Sequence, residues 1–332
     1  MTGITLTIGA FDGFHRGHAR LLEETRELAA GGAWGVVTFH PHPGVLLGSL
    51  SATLFTLRER DLIRRLLGVP ALLTLRFDEE VRDLSPGDFW RRLKRTFERG
   101  GLGVGGLVMG GDFRFGRGAE GTAADLAALC RDDGLPAKIV DLLEHGGVRY
   151  SSTEARRDIL SGDVRRAAEV LGYPWFLWSR VVRGNRRGRT MGFPTANLDL
   201  SGTDGGRTLP APGVYAVALT IDGRWHAGAL SVGDNPTFGD VHETRAEVFV
   251  LDFSGDLYGA DLPVLLLDRL RPMTCFPDAG ALAAQIERDV SHCREVFLAE
   301  TGARPELFAA FASRVREMEA APFAPHVWRL AE

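Results

Sequence analysis

Short apolar runs alternate with amphipathic stretches over the first 140 residues, and this alternation constrains the fold more than any other feature. The apolar runs are ITLTI at 4–8, WGVVTF at 34–39, ALLTLRF at 71–77, GLVMG at 106–110 and PAKIVDLL at 136–143. Helical periodicity fills the stretches between them, which predicts parallel strands joined by helices. We therefore expect an open sheet of about five strands. Ligands of such sheets bind at the carboxyl ends of the strands.

The character of the chain changes near residue 173, where we place a domain boundary. The segment before it, 151–172, has helical periodicity and ends at Gly172. Beyond it, short apolar strands are separated by turn residues, such as DG at 222–223 and DNP at 234–236. Strands at this spacing predict an antiparallel barrel or sandwich.

Helical periodicity returns at the end of the chain, at 279–300 and 304–320. The last of these stretches is amphipathic and is predicted to be a packing helix, with a partner interface as the alternative. A chain of 332 residues exceeds what one hydrophobic core usually serves. We therefore divide it into 1–172, 173–300 and a helical extension at 301–332.

Composition excludes several classes of protein. The net charge is −4, so no global attraction to nucleic acid or to an anionic membrane is expected. No apolar run approaches the roughly 20 residues that span a bilayer. The cysteines, Cys130, Cys275 and Cys293, lie far apart without CxxC spacing and are expected to be buried thiols. These features predict a cytoplasmic protein, and they make no prediction of its oligomeric state.

The stretch GAFDGFHRGH at 9–18 directly follows the first apolar run. Its small residues let a backbone approach a phosphate, and the amides at the start of the next helix point at the same place. His15 and His18 can donate hydrogen bonds to phosphate oxygens as negative charge grows during group transfer. Zinc binding by the two histidines and an ordinary turn are the alternatives.

The stretch GNRRGRTMGFPTANLDL at 184–200 is the most informative in the second half. Its glycines and arginines, which include Gly184, Arg189 and Gly192, predict a loop that approaches phosphates. Thr195 and Asn197 are two residues apart, so in an extended chain both point to one side and can offer oxygen ligands to Mg²⁺. A turn followed by an edge strand is the alternative.

Motifs in both halves resemble those of bacterial bifunctional riboflavin kinase/FAD synthetases. The resemblance covers about residues 4–298 and rests on motifs that occur in family order. In the first half they are GAFDGFHRGH, TFHPHP at 38–43, GGDFRFGRGAEG at 110–121 and SST at 151–153; in the second half they are PTAN at 194–197, GVYAV at 213–217, NPTFG at 235–239, AEVFVLDF at 246–253 and DLYG at 256–259.

The resemblance implies a Rossmann-like α/β nucleotidyltransferase domain of the HxGH type, which transfers the adenylyl group of ATP to FMN and releases pyrophosphate. It implies that His15 and His18 are catalytic and that Asp112 and Phe113 help to bind the flavin. The residues assigned to ATP and its phosphates in this half are Gly9, Asp12, Gly13, Gly17, Ser152, Thr153 and Arg156. The alternative for SST is a plain helix N-cap with Glu154 in the first turn, and such a cap is compatible with phosphate binding.

For the second half, the resemblance implies an antiparallel β-barrel riboflavin kinase with C-terminal helices, which forms FMN from riboflavin and MgATP. Thr195 and Asn197 would bind magnesium and the ATP phosphates, and Glu247 would be the base that activates the ribityl hydroxyl. An exposed strand residue is the alternative for Glu247. Arg271 and Phe276 are assigned to the flavin, and the expected ligands of the chain are riboflavin, FMN, FAD, ATP and Mg²⁺.

Some positions depart from the family pattern. Glu154 and Ala155 replace a basic and an aliphatic residue, His40 replaces an Asp, and Met273 replaces an acid. We interpret His40 and His42 as part of a proline-shaped loop rather than as metal ligands. An acid beside a phosphate site lowers the local positive potential. Two alternatives therefore stay open: a riboflavin kinase with a degenerate nucleotidyltransferase domain, and a non-catalytic flavin- or nucleotide-binding regulator.

Overall fold

A computed structural model describes residues 3–141, 144–145, 148–184, 193–201, 206–233, 244–321, 323 and 326–330. Its first sheet is parallel and contains all five strands predicted from the apolar runs. They are β1 (Gly3–Ile8), β2 (Trp34–His40), β3 (Leu72–Arg76), β4 (Gly103–Gly110) and β7 (Ala137–Val140). β1 lies in the interior of the sheet between β2 and β4. A continuous apolar run is typical of a parallel strand that is buried on both faces.

Helices connect these strands, and local capping explains where several of them start. Thr56 and Glu59 form a reciprocal capping box, and Ser85 caps a helix that has Pro86 at its first position. The helices are α1 (Arg16–Leu28), α2 (Pro43–Leu46), α3 (Leu57–Leu66), α4 (Glu79–Arg82), α5 (Pro86–Arg99) and α6 (Ala123–Asp132). Two short hairpins complete this part of the fold, β5 (Arg114–Phe115) with β6 (Gly121–Thr122) and β8 (Glu144–His145) with β9 (Val148–Arg149).

The end of the chain supplies a sixth strand to this sheet. We call β16 (Val327–Trp328) the tail strand; it pairs in parallel with β3, with Val327 opposite Thr74 and Trp328 opposite Leu75. The Trp328 ring lies 6.1 Å from the ring of Phe97, and Leu330 is buried in the same hydrophobic core. The sequence predicted only helical structure for 301–332, so the tail strand corrects that expectation.

Replacement of Trp328 by alanine is expected to destabilise the parallel sheet. The side chain is half-buried, so the expected loss in the free energy of unfolding is about 2 kcal/mol, less than a fully buried tryptophan loses. Urea denaturation would measure it, with Leu298→Ala as the control because that side chain is 67% exposed. Equal stability of the two variants would contradict a structural role for the tail strand.

The second half forms a closed antiparallel barrel, as the resemblance implied, and not a sandwich. A DG turn at 222–223 joins two of its strands, as the turn chemistry predicted. The strands are β10 (Phe176–Val182), β11 (Thr195–Leu198), β12 (Gly213–Ile221), β13 (Arg224–Gly233), β14 (Arg245–Val250) and β15 (Asp261–Pro272). Around the barrel their order is β10, β11, β14, β13, β12, β15.

The barrel strands are preceded and followed along the chain by pairs of helices. The segment at 151–172 contains two helices rather than one, α7 (Ser152–Ser161) and α8 (Val164–Leu171), because Gly162 between them has φ +86°. After the barrel come α9 (Ala279–Ala303) and α10 (Pro305–Glu319). Trp225 of the barrel donates a hydrogen bond to the carbonyl of Phe308. α10 is thus the packing helix that its amphipathic pattern predicted.

The described residues form two compact units. The first contains the described residues up to Ser152, Gly206 and those from Phe323 onward; the second contains the others between Thr153 and Ala321. The functional limits at 172 and 300 stay predictions. Within the described ranges, no helix is long and apolar enough to cross a membrane.

Two of the cysteines are buried, as expected, and one is not. Burial raises the pKa of the Cys130 thiol to about 11 and that of Cys293 to about 12, so both thiols stay protonated near neutral pH. Cys275 is exposed, and the expectation of a buried thiol was wrong for this residue.

Candidate functional site

The glycine-histidine loop, residues 9–15, connects the carboxyl end of β1 to the start of α1. Its backbone is left-handed at Phe11 (φ +46°), Gly13 (φ +123°) and Phe14 (φ +43°). Each non-glycine residue in such a region costs roughly 1–3 kcal/mol. The surrounding structure must therefore hold the loop in place, and strain of this kind is typical of functional sites.

The two predicted catalytic histidines lie together where this loop meets α1, with His15 at the end of the loop and His18 in the first turn of the helix. His15 precedes α1 and is 5% exposed, and the rings of His15 and His18 stack with their centroids 3.7 Å apart. The ring of Phe11 lies 4.4 Å from that of His18. Burial, with a smaller contribution from the nearby His15, holds the pKa of His18 well below its ordinary value of 6.5. His18 is therefore neutral near pH 7 in the protein alone.

Stability should fall as the pH is lowered from about 6.5, because the unfolded chain then binds a proton at His18 that the folded chain does not. One such proton gives a slope of at most about 1.4 kcal/mol per pH unit. Urea denaturation across this range measures the slope, which His18→Gln should reduce. His226→Gln is the control, and equal slopes in the two variants would contradict the assignment.

The described residues hold no group of three or more His, Cys, Asp or Glu suited to a metal. In the FHPHP segment, the Nδ1 atom of His42 accepts a hydrogen bond from the amide of Gly44 and caps α2. His40 ends β2. The interpretation of this segment as a shaped loop therefore agrees with the structure.

Asp12, which was assigned to ATP and its phosphates, has its carboxylate turned into the protein. It is 1% exposed, and its carboxylate accepts hydrogen bonds from the amides of Leu54 (3.0 Å) and Phe55 (3.4 Å). It also pairs with the guanidinium of Arg60 at 3.2 Å. Because these donors occupy the buried carboxylate, Asp12 supports the loop rather than facing a phosphate.

Tyr150 and Ser152, just before and at the start of α7, lie close to the glycine-histidine loop and the start of α1. The hydroxyl of Ser152 donates to the carbonyl of Asp12 at 2.9 Å. A Cβ atom at Gly17 would lie 2.4 Å from the carbonyl oxygen of Tyr150, so this close approach requires glycine. Ser152 and Gly17 thus both lie beside the loop, while a Cβ at Gly9 would contact the ring of Phe11. The part of these residues in phosphate binding stays a prediction.

Thr153 and Arg156 belong to the second compact unit, where Thr153 is exposed and Arg156 is half-buried. Their part in phosphate binding stays a prediction. Glu154, the acid that departs from the family pattern, pairs with Arg157 through a hydrogen bond of 3.1 Å. Arg157 also pairs with Asp158 at 3.1 Å, so the two acids share one cation, and Ala155 is fully buried.

The GGDFRFG segment follows β4, which lies beside β1 in the parallel sheet. Both strand ends therefore meet at one edge of the sheet. Asp112 is exposed, and Phe113 is half-buried with its ring stacked on that of Phe115 at 5.8 Å. This places an acid and an aromatic face at the edge that carries the two histidines.

The barrel brings Thr195, Asn197 and Glu247 together. Thr195 and Asn197 lie on one face of β11, as their spacing predicted, and Asn197 is directly opposite Glu247 on β14. The hydroxyl of Thr195 donates to the carboxylate of Glu247 at 3.0 Å. Glu247 is only partly exposed. A hydroxyl, an amide and a carboxylate therefore form one cluster of oxygen donors.

A cavity of about 600 Å³ opens beside Thr195. Arg183 lines it and lies over the ring of Tyr258, with 5.8 Å between the guanidinium and the ring centroid. A Cβ atom at Gly184 would lie 2.2 Å from the side-chain amide nitrogen (Nδ2) of Asn197, so the close approach of this side chain to the backbone requires glycine. Arg189 and Gly192 lie outside the described residues.

The predicted flavin residues of the second half form a cluster with an acid that sequence reasoning missed. Arg271 pairs with Asp289 of α9 at 2.9 Å and lies 5.4 Å from the ring centroid of Phe276. Asp289 shares a buried stripe with Cys293 and Val296, at helical spacing. The sequence did contain a signal for this ion pair: Asp289 is an acid within an apolar stripe, and a buried acid normally has a charged partner.

Met273, which replaces the usual acid of the family, lies beside the oxygen cluster. Its sulfur accepts a hydrogen bond from the hydroxyl of Ser231 at 3.7 Å. Ser231 is opposite Glu247 on the side of β14 away from Asn197. Met273 is therefore accommodated by a neutral partner.

A strained glycine-histidine loop at the end of a parallel strand, together with an oxygen-donor cluster beside a cavity in a barrel, is typical of enzymes that transfer nucleotidyl and phosphoryl groups. The family model for FAD synthetase matches residues 1–154, and that for riboflavin kinase matches 171–297. The chain belongs to the family of bifunctional riboflavin kinase/FMN adenylyltransferases.

Relatives with that name cover most of the chain. The one from Listeria monocytogenes is 33% identical over 88% of this chain and 92% of the relative, and the one from Escherichia coli K12 is 35% identical over 89% and 93%. A crystal structure described as a macrolide-efflux protein from Streptococcus pneumoniae has a TM-score of 0.76 and 32% identity, covering 89% of this chain and 95% of that one. The likeness to that structure thus extends over both halves of the chain.

Proposed function

We propose that the chain makes FAD from riboflavin in two steps. The barrel domain phosphorylates riboflavin to FMN with MgATP, and the N-terminal domain transfers an adenylyl group from a second ATP to FMN and releases pyrophosphate. The observation that carries this proposal is that two family models match separate stretches of the chain, and each stretch contains residues assigned to one of the two steps. We assign the functional domains to 1–172 and 173–300, with 301–332 as an extension.

In adenylyl transfer, His15 and His18 donate hydrogen bonds to the ATP phosphates. A neutral imidazole supplies one N–H group, which stabilises the charge that develops when the phosphate of FMN attacks the α-phosphate. Asp112 and Phe113 are the flavin contacts of this step. The residues assigned to the phosphates are Gly9, Gly13, Gly17, Ser152, Thr153 and Arg156, while Asp12 shapes the loop.

In the kinase step, Glu247 accepts the proton of the ribityl hydroxyl as that oxygen attacks the γ-phosphate. The hydroxyl of Thr195 holds the carboxylate in place. The oxygen donors of Thr195 and Asn197 fit magnesium, which prefers such ligands and would neutralise phosphate charge. Gly184, Arg189 and Gly192 are assigned to the phosphates.

Flavin binding in the kinase domain is assigned to Arg271 and Phe276. One face of the Arg271 guanidinium lies over the ring of Phe276, and the ion pair with Asp289 holds the edge of the guanidinium in place. Such a pair offers both an apolar surface and a hydrogen-bond donor. A flavin presents a planar ring with carbonyl acceptors, which matches this pair of surfaces.

The two alternatives are not favoured. A degenerate N-terminal domain was suggested by Glu154, but the charge of this residue is paired with Arg157 and the FAD synthetase model matches this half. A regulator without turnover would not require the oxygen cluster of the barrel. The cytoplasmic location and the absence of nucleic-acid or membrane partners stay predictions.

A product assay tests the proposal. Riboflavin is incubated with MgATP, and riboflavin, FMN and FAD are separated by chromatography over time. We expect FMN to appear first and FAD to follow. Accumulation of FMN without FAD would contradict adenylyl transfer, and flavin binding without ATP consumption would contradict both activities.

A further inference from the structure

Arg60 is a buried arginine that belongs to none of the motifs above. It lies in α3 and is 2% exposed. Its Nη2 atom lies 3.2 Å from the carboxylate of Asp12, and its Nε atom donates to the carbonyl of Phe55 at 3.2 Å. One guanidinium thus joins the glycine-histidine loop to the segment that leads into α3.

Asp12 is the point at which three parts of the first unit meet. Its side chain accepts from Arg60 and from the amides of Leu54 and Phe55, and its carbonyl accepts from the hydroxyl of Ser152. The residues on either side of it, Phe11 and Gly13, have left-handed backbones. A loop in this conformation keeps its shape only while these contacts hold it.

The charge of Arg60 matters because Asp12 is almost fully buried. A buried carboxylate without a positive partner is strongly unfavourable, so it takes up a proton or moves toward water. Either change would weaken its hold on the loop. His15 and His18 follow Asp12 by only three and six positions, so a shift of Asp12 is passed directly to both imidazoles.

We propose that Arg60 is a positioning residue for adenylyl transfer, acting through Asp12 to hold His15 and His18 where the ATP phosphates bind. The inference rests on the proposed function of the N-terminal domain. It assigns to Arg60 no contact with ATP or with FMN. Its effect should therefore appear in the turnover rate of FAD formation and much less in the KM for FMN.

The test compares three variants of the full chain. Arg60→Met removes the charge at similar length, and we expect the kcat of FAD formation to fall about 100-fold, the loss typical of a displacement of about 1 Å. Arg60→Lys keeps the charge but loses one hydrogen bond, so an intermediate rate is expected. Arg64→Met is the matched control, because Arg64 lies in the same helix and pairs with Asp61.

Two further measurements separate positioning from unfolding. FMN formation by the same chain should be unchanged in all variants. FAD formation is also measured at about 15 °C, where domains are near their maximum stability, and the loss in Arg60→Met should persist there. A merely structural role predicts recovery in the cold and an equal loss in Arg64→Met.

The outcomes distinguish this inference from the proposed function. If the wild-type chain makes no FAD, the proposed function fails. If the wild type makes FAD and folded Arg60→Met makes it at the same rate, or if Arg60→Lys recovers nothing over Arg60→Met, the role of Arg60 is overturned.

Discussion

Replacement of His15 by alanine is expected to reduce the kcat of FAD formation about 100- to 1000-fold, the loss typical of removing one donor to a developing oxyanion. FMN formation should continue at the wild-type rate. His15 is buried in a strained loop, and its ring stacks on that of His18, so its loss also leaves His18 without its neighbour. Chromatography of the products from riboflavin and MgATP measures both steps in one reaction.

His42→Ala is the control for this prediction. His42 also follows a strand of the parallel sheet, but it caps α2 through its Nδ1 atom. It should therefore change stability by about 1 kcal/mol and leave turnover intact. An equal loss of FAD formation in the two variants would show that His15 has no special role in adenylyl transfer. A loss of FMN formation in His15→Ala would show that the effect of this substitution is not confined to adenylyl transfer.

Replacement of Glu247 by glutamine is expected to lower the kcat of FMN formation about 100- to 10 000-fold, because a positioned base contributes that much to proton transfer. Glutamine keeps the size of the side chain and can still accept from the hydroxyl of Thr195, so the barrel should remain intact. FAD formation from added FMN should be unchanged. Glu287→Gln, at an exposed position of α9, is the control.

Retention of wild-type kinase activity by Glu247→Gln would remove the base from the mechanism. A loss of both activities would contradict the assignment of the two steps to separate sites. Together with His15→Ala, this variant gives a reciprocal pattern in which each substitution stops one step. Only a chain with two independent sites produces that pattern.

Much of the fold could be predicted because the signals for it are local. The five parallel strands are short apolar runs bounded by turn residues, and their burial in the sheet follows from that composition. The placement of Thr195 and Asn197 on one face also follows from a period of two along a strand. Gly162 was the exception, since a local pattern that continues through it conceals the break between α7 and α8.

Contacts between distant residues could not be predicted in the same way. Arg60 and Asp12 are 48 residues apart, and each is compatible with an exposed surface when the sequence is considered alone. The predicted phosphate role of Asp12 therefore overlooked the partners that occupy its carboxylate. Asp289 escaped notice for a related reason, because its partner Arg271 belongs to a different motif 18 residues earlier.

The tail strand links the order of synthesis to the completion of the fold. A ribosome makes Thr74 and Leu75 of β3 long before Val327 and Trp328, which pair with them. Until residues 327 and 328 emerge, the edge of β3 is open, and an open strand edge is a template for pairing with other chains. The parallel sheet is thus completed by residues that are made after the barrel, so chains that stop before residue 327 leave the edge of β3 uncovered.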